Sequence, residues 1–106
     1  MLKIKTDFGT YNVCFVIGKY VADGSPAIQA WSPTEGPVAT LTKCLDDITL
    51  EDGEVYIDTN NCPWALDFLV ENGLAEEAGR FGISGYCLYP VVRLNMDKVM
   101  EHAVGA

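Results

Sequence analysis

Four cysteines, one histidine and fifteen carboxylates are the side chains of this sequence with the most chemistry to offer. Cys14, Cys44, Cys62 and Cys87 lie 30, 18 and 25 positions apart, so no pair has the Cys-x-x-Cys spacing of zinc sites or dithiol redox motifs. With no secretory segment at the N-terminus, reduced thiols are expected rather than disulfides. Cys14, Cys44 and Cys87 sit in apolar stretches, where cysteine acts as a small core residue. Cys62 falls at a predicted helix start, where the helix dipole lowers a thiol pKa, and is the one candidate for thiol catalysis. The only histidine, His102, is in the C-terminal tail, so a Cys-His pair requires that tail to fold back.

The carboxylates are unevenly placed. Between Lys43 and Arg80 there is no basic residue, yet the interval holds Asp46, Asp47, Glu51, Asp52, Glu54, Asp58, Asp67, Glu71, Glu76 and Glu77. The first 43 residues carry Lys3, Lys5, Lys19 and Lys43 against Asp7, Asp23 and Glu35, a balance of +1. Such asymmetry sets up a negative field that steers cationic partners. If their segment is extended, Asp52 and Glu54 stand about 6.8 Å apart, two phosphate steps of about 3.4 Å. Asp67 and Glu71, at i and i+4 of a helix, are about 6 Å apart along its axis. An acidic face centred on Glu51, Asp52, Glu54, Asp67 and Glu71 therefore suits the imitation of a nucleic-acid backbone, or simply solubility. No Asp-x-Asp-x-Asp-Gly loop is present, so no metal is expected. Nothing places a carboxylate pair in an apolar pocket of the kind that acid–base catalysis uses.

The net charge of −8 argues against direct nucleic-acid binding, and no apolar run approaches a membrane span. A cytoplasmic protein without a cofactor is expected. The 106 residues fit one domain, and the 49% hydrophobic content suits a globular core.

These groups must be positioned by short elements. Leu2 to Phe8 alternates as a half-buried strand, and Tyr11 to Ile17 is apolar on both faces, as in a central strand. Gly18 suggests a bulge, and Asp23-Gly24 a hairpin into Ala27–Trp31. The Ser32–Pro37 turn leads to Val38–Thr42, and Asp52-Gly53 to Glu54–Asp58, with Val55 and Ile57 on one face. A helix is predicted from Asn60-Asn61-Cys62-Pro63, with Trp64, Ala65, Phe68 and Leu69 on its apolar side. Gly73, left-handed, closes it while Leu74 folds back on Leu69. Phe81–Leu94 reads as one or two strands, with Pro90 near an edge, and Asn95 caps a last short helix bearing Val99, Met100 and Ala103. Trp64 is expected in the core; Trp31 is read as core or surface anchor. The expectation is a single α+β domain over residues 1–106: a largely antiparallel twisted sheet of five or six strands, one main helix on a face and a short C-terminal helix.

Gly79-Arg80-Phe81-Gly82-Ile83-Ser84-Gly85 has three spaced glycines but lacks the strand and helix of a phosphate loop. It reads either as a mobile turn or as a contact loop, because Arg80, Phe81 and Tyr86 are residue types common at interfaces.

The stretches Asp58-Thr59-Asn60-Asn61-Cys62-Pro63-Trp64-Ala65, Asn72-Gly73-Leu74 and Gly79 to Pro90, with Ala27–Trp31 and Val38–Thr42, carry a resemblance across most of the chain. The sequence resembles domain of unknown function 4313, a bacterial family associated with gut Firmicutes, plasmids and integrative elements. Ile83 and the Val91-Val92 pair depart from the family pattern. The resemblance supplies no activity and no site residues. It implies a mobile-element accessory protein, and such elements often encode small acidic inhibitors of host defence, anti-CRISPR proteins among them.

Taken together, the expectation is a non-enzymatic binding protein whose acidic face blocks the basic surface of a partner such as a nucleic-acid-binding defence complex. The alternative is an accessory module that docks a protein through Arg80, Phe81 and the loop to Tyr89.

Overall fold

Leu2 and Ile4 are buried while Lys3 and Lys5 face solvent, the alternation expected of a strand with one wet face. The computed structural model describes residues 2–6, 8–47 and 49–104; Asp7, part of the first predicted strand, lies outside them. Strand β1 (Leu2–Thr6) turns into β2 (Gly9–Lys19), followed by β3 (Pro26–Ser32), β4 (Gly36–Thr40) and the two-residue β5 (Thr42–Lys43). Then come β6 (Glu54–Ile57), α1 (Ala65–Glu71), β7 (Ala75–Ser84), β8 (Cys87–Leu94) and α2 (Met96–Glu101). The α+β class with antiparallel pairing holds, but the strands form two four-stranded sheets, not one sheet of five or six. Their orders are β1-β2-β3-β4 and β5-β6-β8-β7.

The division is made at one residue. Val38–Thr42 reads as a continuous strand, yet Thr40 pairs with Gln29 of β3 whereas Thr42 pairs with Ile57 of β6. Between them Leu41 is wholly buried; its N–H donates to Ile28 O at 2.9 Å and its carbonyl accepts from Asp58 N–H at 2.9 Å. Alternation shows that a segment is extended, not which neighbour it joins.

One core is shared by both sheets, α1 and α2, and includes Ile4, Phe15, Ile28, Val55, Ile57, Leu69, Val92 and Val99. All four residues of β6 are buried, because its second face carries a smaller cluster of Tyr56, Tyr89 and Val91 under Leu45 and Leu50. Past Val13, where β1 stops pairing with β2, the segment after α2 takes over the edge. Phe15 N–H donates to His102 O and Val104 N–H to Phe15 O, each at 2.8 Å. His102 thus packs edge-on to Phe15, at 6.4 Å between ring centroids.

The helix ends follow the expected chemistry at two of the three places where one was predicted. Gly73 has φ 70°, and the bonds Leu74 N–H to Leu69 O (2.9 Å) and Gly73 N–H to Val70 O (3.0 Å) form a Schellman motif. Asn95 caps α2 by accepting from Lys98 N–H at 3.3 Å, and Val99 is buried, although Met100 is exposed. The exception is the start of α1, at Ala65 rather than at Asn60–Pro63. Asn61 bonds backward, its N–H to Asp58 Oδ1 (3.3 Å) and its Nδ2 to Asp58 Oδ2 (2.9 Å), so residues 59–64 form turns.

Three strand details also differ. Gly18 pairs in register with Ala27, and the irregularity falls between Ala30 and Trp31. Pro90 lies in an internal strand, tolerated because β6 pairs with β8 only at 91–93 and the β7 register slips between Glu77 and Phe81. Gly79–Gly85 is neither a mobile turn nor a loop: β7 runs through to Ser84, and the reversal occurs at Gly85-Tyr86 with Gly85 at φ 60°. The hairpin at Asp23-Gly24 is present, with Asp23 Oδ1 accepting from both the N–H and the hydroxyl of Ser25.

Candidate binding surface

The proposed site residues separate into three places. Glu54, expected on an accessible acidic face, is instead buried, with a side chain 2% exposed. Its Oε1 accepts from Arg80 Nη2 in a close ion pair and from Glu51 N–H at 2.8 Å. The Arg80 bond first, and the Glu51 N–H second, hold the Glu54 carboxyl below its ordinary range. Arg80 also donates to Thr49 O at 3.4 Å, so it ties the 49–54 segment to β7. Glu54 points inward because β6 buries its outer face beneath that segment, which alternation alone cannot reveal. The assumed two-step spacing with Asp52 is lost too, since Asp52 lies in the turn before β6.

Glu51, Glu54 and Arg80 come together with Glu76, Glu77 and Arg93 around a concavity of about 430 Å³. Arg93 pairs with Glu51 at 3.3 Å. Both cations are therefore already engaged by carboxylates, and four acids against two bases leave this groove negative. Asp46, Asp47 and Asp52 are exposed on the adjoining chain. Asp67 and Glu71 do not join them; they lie on the exposed side of α1 and do not line the groove. Arg93, Glu76 and Glu77 carry no motif, and only their cross-strand pairing (Glu76 with Arg93) and the common groove mark them.

Phe81 belongs to a different face. Register sets Phe81 opposite Pro90 and Ile83 opposite Leu88, on the side of the sheet that, farther along, buries Val92 and Leu94. Past the edge of the core that face is bare: Phe81 is 56% exposed, Ile83 59% and Leu88 59%, with Tyr86 fully exposed at the tip. The opposite face is packed, with Gly82 lying directly against the buried Tyr56 ring. Asp47 Oδ2 accepts from Ile83 N–H at 2.7 Å, occupying a donor on the free edge of β7. Leu88 falls within the Phe81–Leu94 stretch expected to be strand, whereas the three glycines of Gly79–Gly85 masked the strand that carries Ile83.

Cys62 is the buried cysteine, and its Sγ donates to Thr40 O at 3.6 Å. Burial, then the Asp58 charge, pushes its thiol pKa up. The dipole argument for a reactive thiolate falls away, because α1 begins three residues later. Cys14, Cys44 and Cys87, expected in the core, are only half-buried, and all four thiols are free. Trp64 is half-buried and packs edge-on to Phe68 at 6.3 Å, while Trp31 is half-buried and donates to Gln29 Oε1 at 3.2 Å. Among the described residues no helix is long and apolar enough to cross a membrane.

The chain matches no curated protein and no solved structure. The model of one family, described as Domain of unknown function (DUF4313), matches residues 14–104, from within β2 to beyond α2, and the chain belongs to that family.

Proposed function

We propose that this chain is a binding module rather than an enzyme, and that it docks a protein through the distal half of the β7–β8 hairpin. The observation carrying this reading is the exposed strip of Phe81, Ile83 and Leu88, on a sheet face whose other half is core. A contiguous apolar patch on a small domain marks an interaction surface. Arg80 is committed to Glu54, so its role is to hold the hairpin rather than to contact the partner.

A second reading is favoured by Asp67 and Glu71, exposed at i and i+4 on α1: an acidic inhibitor of a defence nucleoprotein, anti-CRISPR-like, of mobile-element origin. The two readings part in one experiment. Tagged wild type, a Phe81→Ser/Leu88→Ser variant and an Asp67→Lys/Glu71→Lys variant capture partners from bacterial lysate at low and high salt, with quantitative mass spectrometry. Hairpin docking predicts a salt-resistant partner lost only with the hairpin variant. A nucleic-acid-handling partner lost with the α1 variant and at high salt would replace it with the inhibitor reading.

A further inference from the structure

Edge strands are where a sheet can take up one strand more, and the first sheet ends on β1 and β4. Both edges line one opening. Lys5 and Thr6 of β1, Pro37 to Thr40 of β4 and residues of the Asp58–Trp64 turn surround a cleft of about 920 Å³, a size typical of binding sites. In the second sheet, side chains already engage the outer strands: Asp47 accepts from the Ile83 N–H of β7, and the Tyr20 hydroxyl donates to Thr42 O of β5.

The direction of the β4 backbone follows from its bonds. Leu41 N–H donates to Ile28 O at 2.9 Å, and Thr40 lies opposite Gln29. Successive residues of a strand point their N–H and C=O to opposite sides, so those of Thr40 turn away from β3 and toward the cleft. The carbonyl there accepts from Cys62 Sγ at 3.6 Å, a weak donor that a backbone N–H outcompetes. Pro37 has no N–H, so pairing along this edge begins beyond it. Gly36-Pro37-Val38-Ala39-Thr40 carries no charge. An edge recessed in a cleft admits a single strand but not a second sheet, which lets it stay open without inviting edge-to-edge aggregation.

The lining also favours one kind of strand. Glu35 and Asp58 set two carboxylates against the ammonium of Lys5, and the Asn61 amide that donates to Asp58 leaves its charge in place. A basic side chain complements that balance. Tyr11 and Trp64, both half-buried, add apolar surface for its neighbours.

We infer that this cleft takes an extended peptide segment of a partner protein, added as a strand along β4 at Thr40 and bearing a basic side chain near Glu35 and Asp58. Main-chain bonds to an open edge supply affinity in such a mode, and the side chains supply selectivity. The site is separate from the docking hairpin and does not depend on it.

The test is an NMR titration of the ¹⁵N-labelled full chain, with amide exchange measured before and after. The probe is a hexapeptide of alternating valine and threonine with one central lysine, blocked at both ends. Its counterparts carry glutamate in place of the lysine, or proline at every second position. The expected result is a saturable shift of the Thr40 amide by the lysine peptide and slowed exchange at Thr40. The Ala39 amide, already facing β3, should keep its exchange rate. The glutamate peptide should bind more weakly, and the proline peptide not at all. Glu35→Gln, at an exposed position, should weaken the lysine peptide about two- to fivefold, as expected for one exposed ion pair. Thr40→Pro, which removes only a donor turned away from β3, should abolish binding. Absence of a saturable Thr40 shift with the lysine peptide at about 5 mM would overturn the inference. So would equal binding of the proline or glutamate peptide, or shifts confined to Phe81–Leu88.

Discussion

Gly82→Ala is the sharpest perturbation the fold allows, because it tests whether the hairpin is clamped on Tyr56 as described. A Cβ at Gly82 would sit inside contact distance of Tyr56 Cε1, 2.8 Å from Tyr56 Cδ1 and 3.0 Å from Leu45 Cδ1. The Tyr56 ring is wholly buried and cannot swing into solvent, so β7 or the ring must move. Overpacking of this kind costs about 1–3 kcal/mol. The backbone of Gly82 is not left-handed, so none of the loss comes from φ strain. Gly18→Ala is the matched control: it too is a strand glycine, but its added Cβ meets nothing within 4 Å. Relief of glycine's backbone entropy should make that variant neutral or more stable by about 0.5–1 kcal/mol. In thermal unfolding followed by near-UV circular dichroism, Gly82→Ala should lower Tm by roughly 5–15 °C, while Gly18→Ala holds or gains. Equal melting temperatures for the two variants would refute the packed hairpin, and with it the claim that Phe81 and Ile83 are turned outward by a buried opposite face.

Three further outcomes follow from particular contacts. Glu54 has a lowered carboxyl pKa in the fold, so its stabilisation is present above the unfolded value of about 4.3 and lost as pH falls through the folded value. Urea melts of wild type and Glu54→Gln should therefore differ at pH 7 and converge in acid; a constant gap would contradict the Arg80 pairing. Asn95→Ala removes the α2 cap and should cost about 1 kcal/mol of unfolding free energy, measured by urea denaturation; no loss would mean that the bond to Lys98 N–H is not formed in solution. Cys62, buried with a raised thiol pKa, should react with iodoacetamide more slowly than Cys14 or Cys87 in the native protein and at a comparable rate in urea. Fast native alkylation at Cys62 would restore the thiolate reading.

Local signals in the sequence located most elements. Gly73 with Leu74, Asn95, and Asp23-Gly24 each act within a few residues of themselves, so the Schellman motif, the α2 cap and the β2–β3 hairpin were legible. What escaped were choices made by distant partners. Leu41 assigns the chain to a second sheet through Ile28 and Asp58, and Asn61 forgoes capping because Asp58 is already in reach. At the site, Glu54 looked like one more surface acid until β6 proved buried on both faces. Arg80 and Phe81, adjacent in sequence, proved to lie on opposite sides of the hairpin, one an inward tie and the other an exposed ring. The family adds membership without chemistry, so the proposed function draws on those faces alone.

The most direct test of the central claim is calorimetric titration of the captured partner with wild type and with Phe81→Ser/Leu88→Ser, at low and high salt. Both substituted residues are exposed, so the variant should melt with the wild type. The account predicts that it loses binding by about a hundredfold or more at both salt concentrations, as expected when hot-spot side chains are removed. Wild-type affinity in the hairpin variant would contradict it and move the interface elsewhere on the molecule.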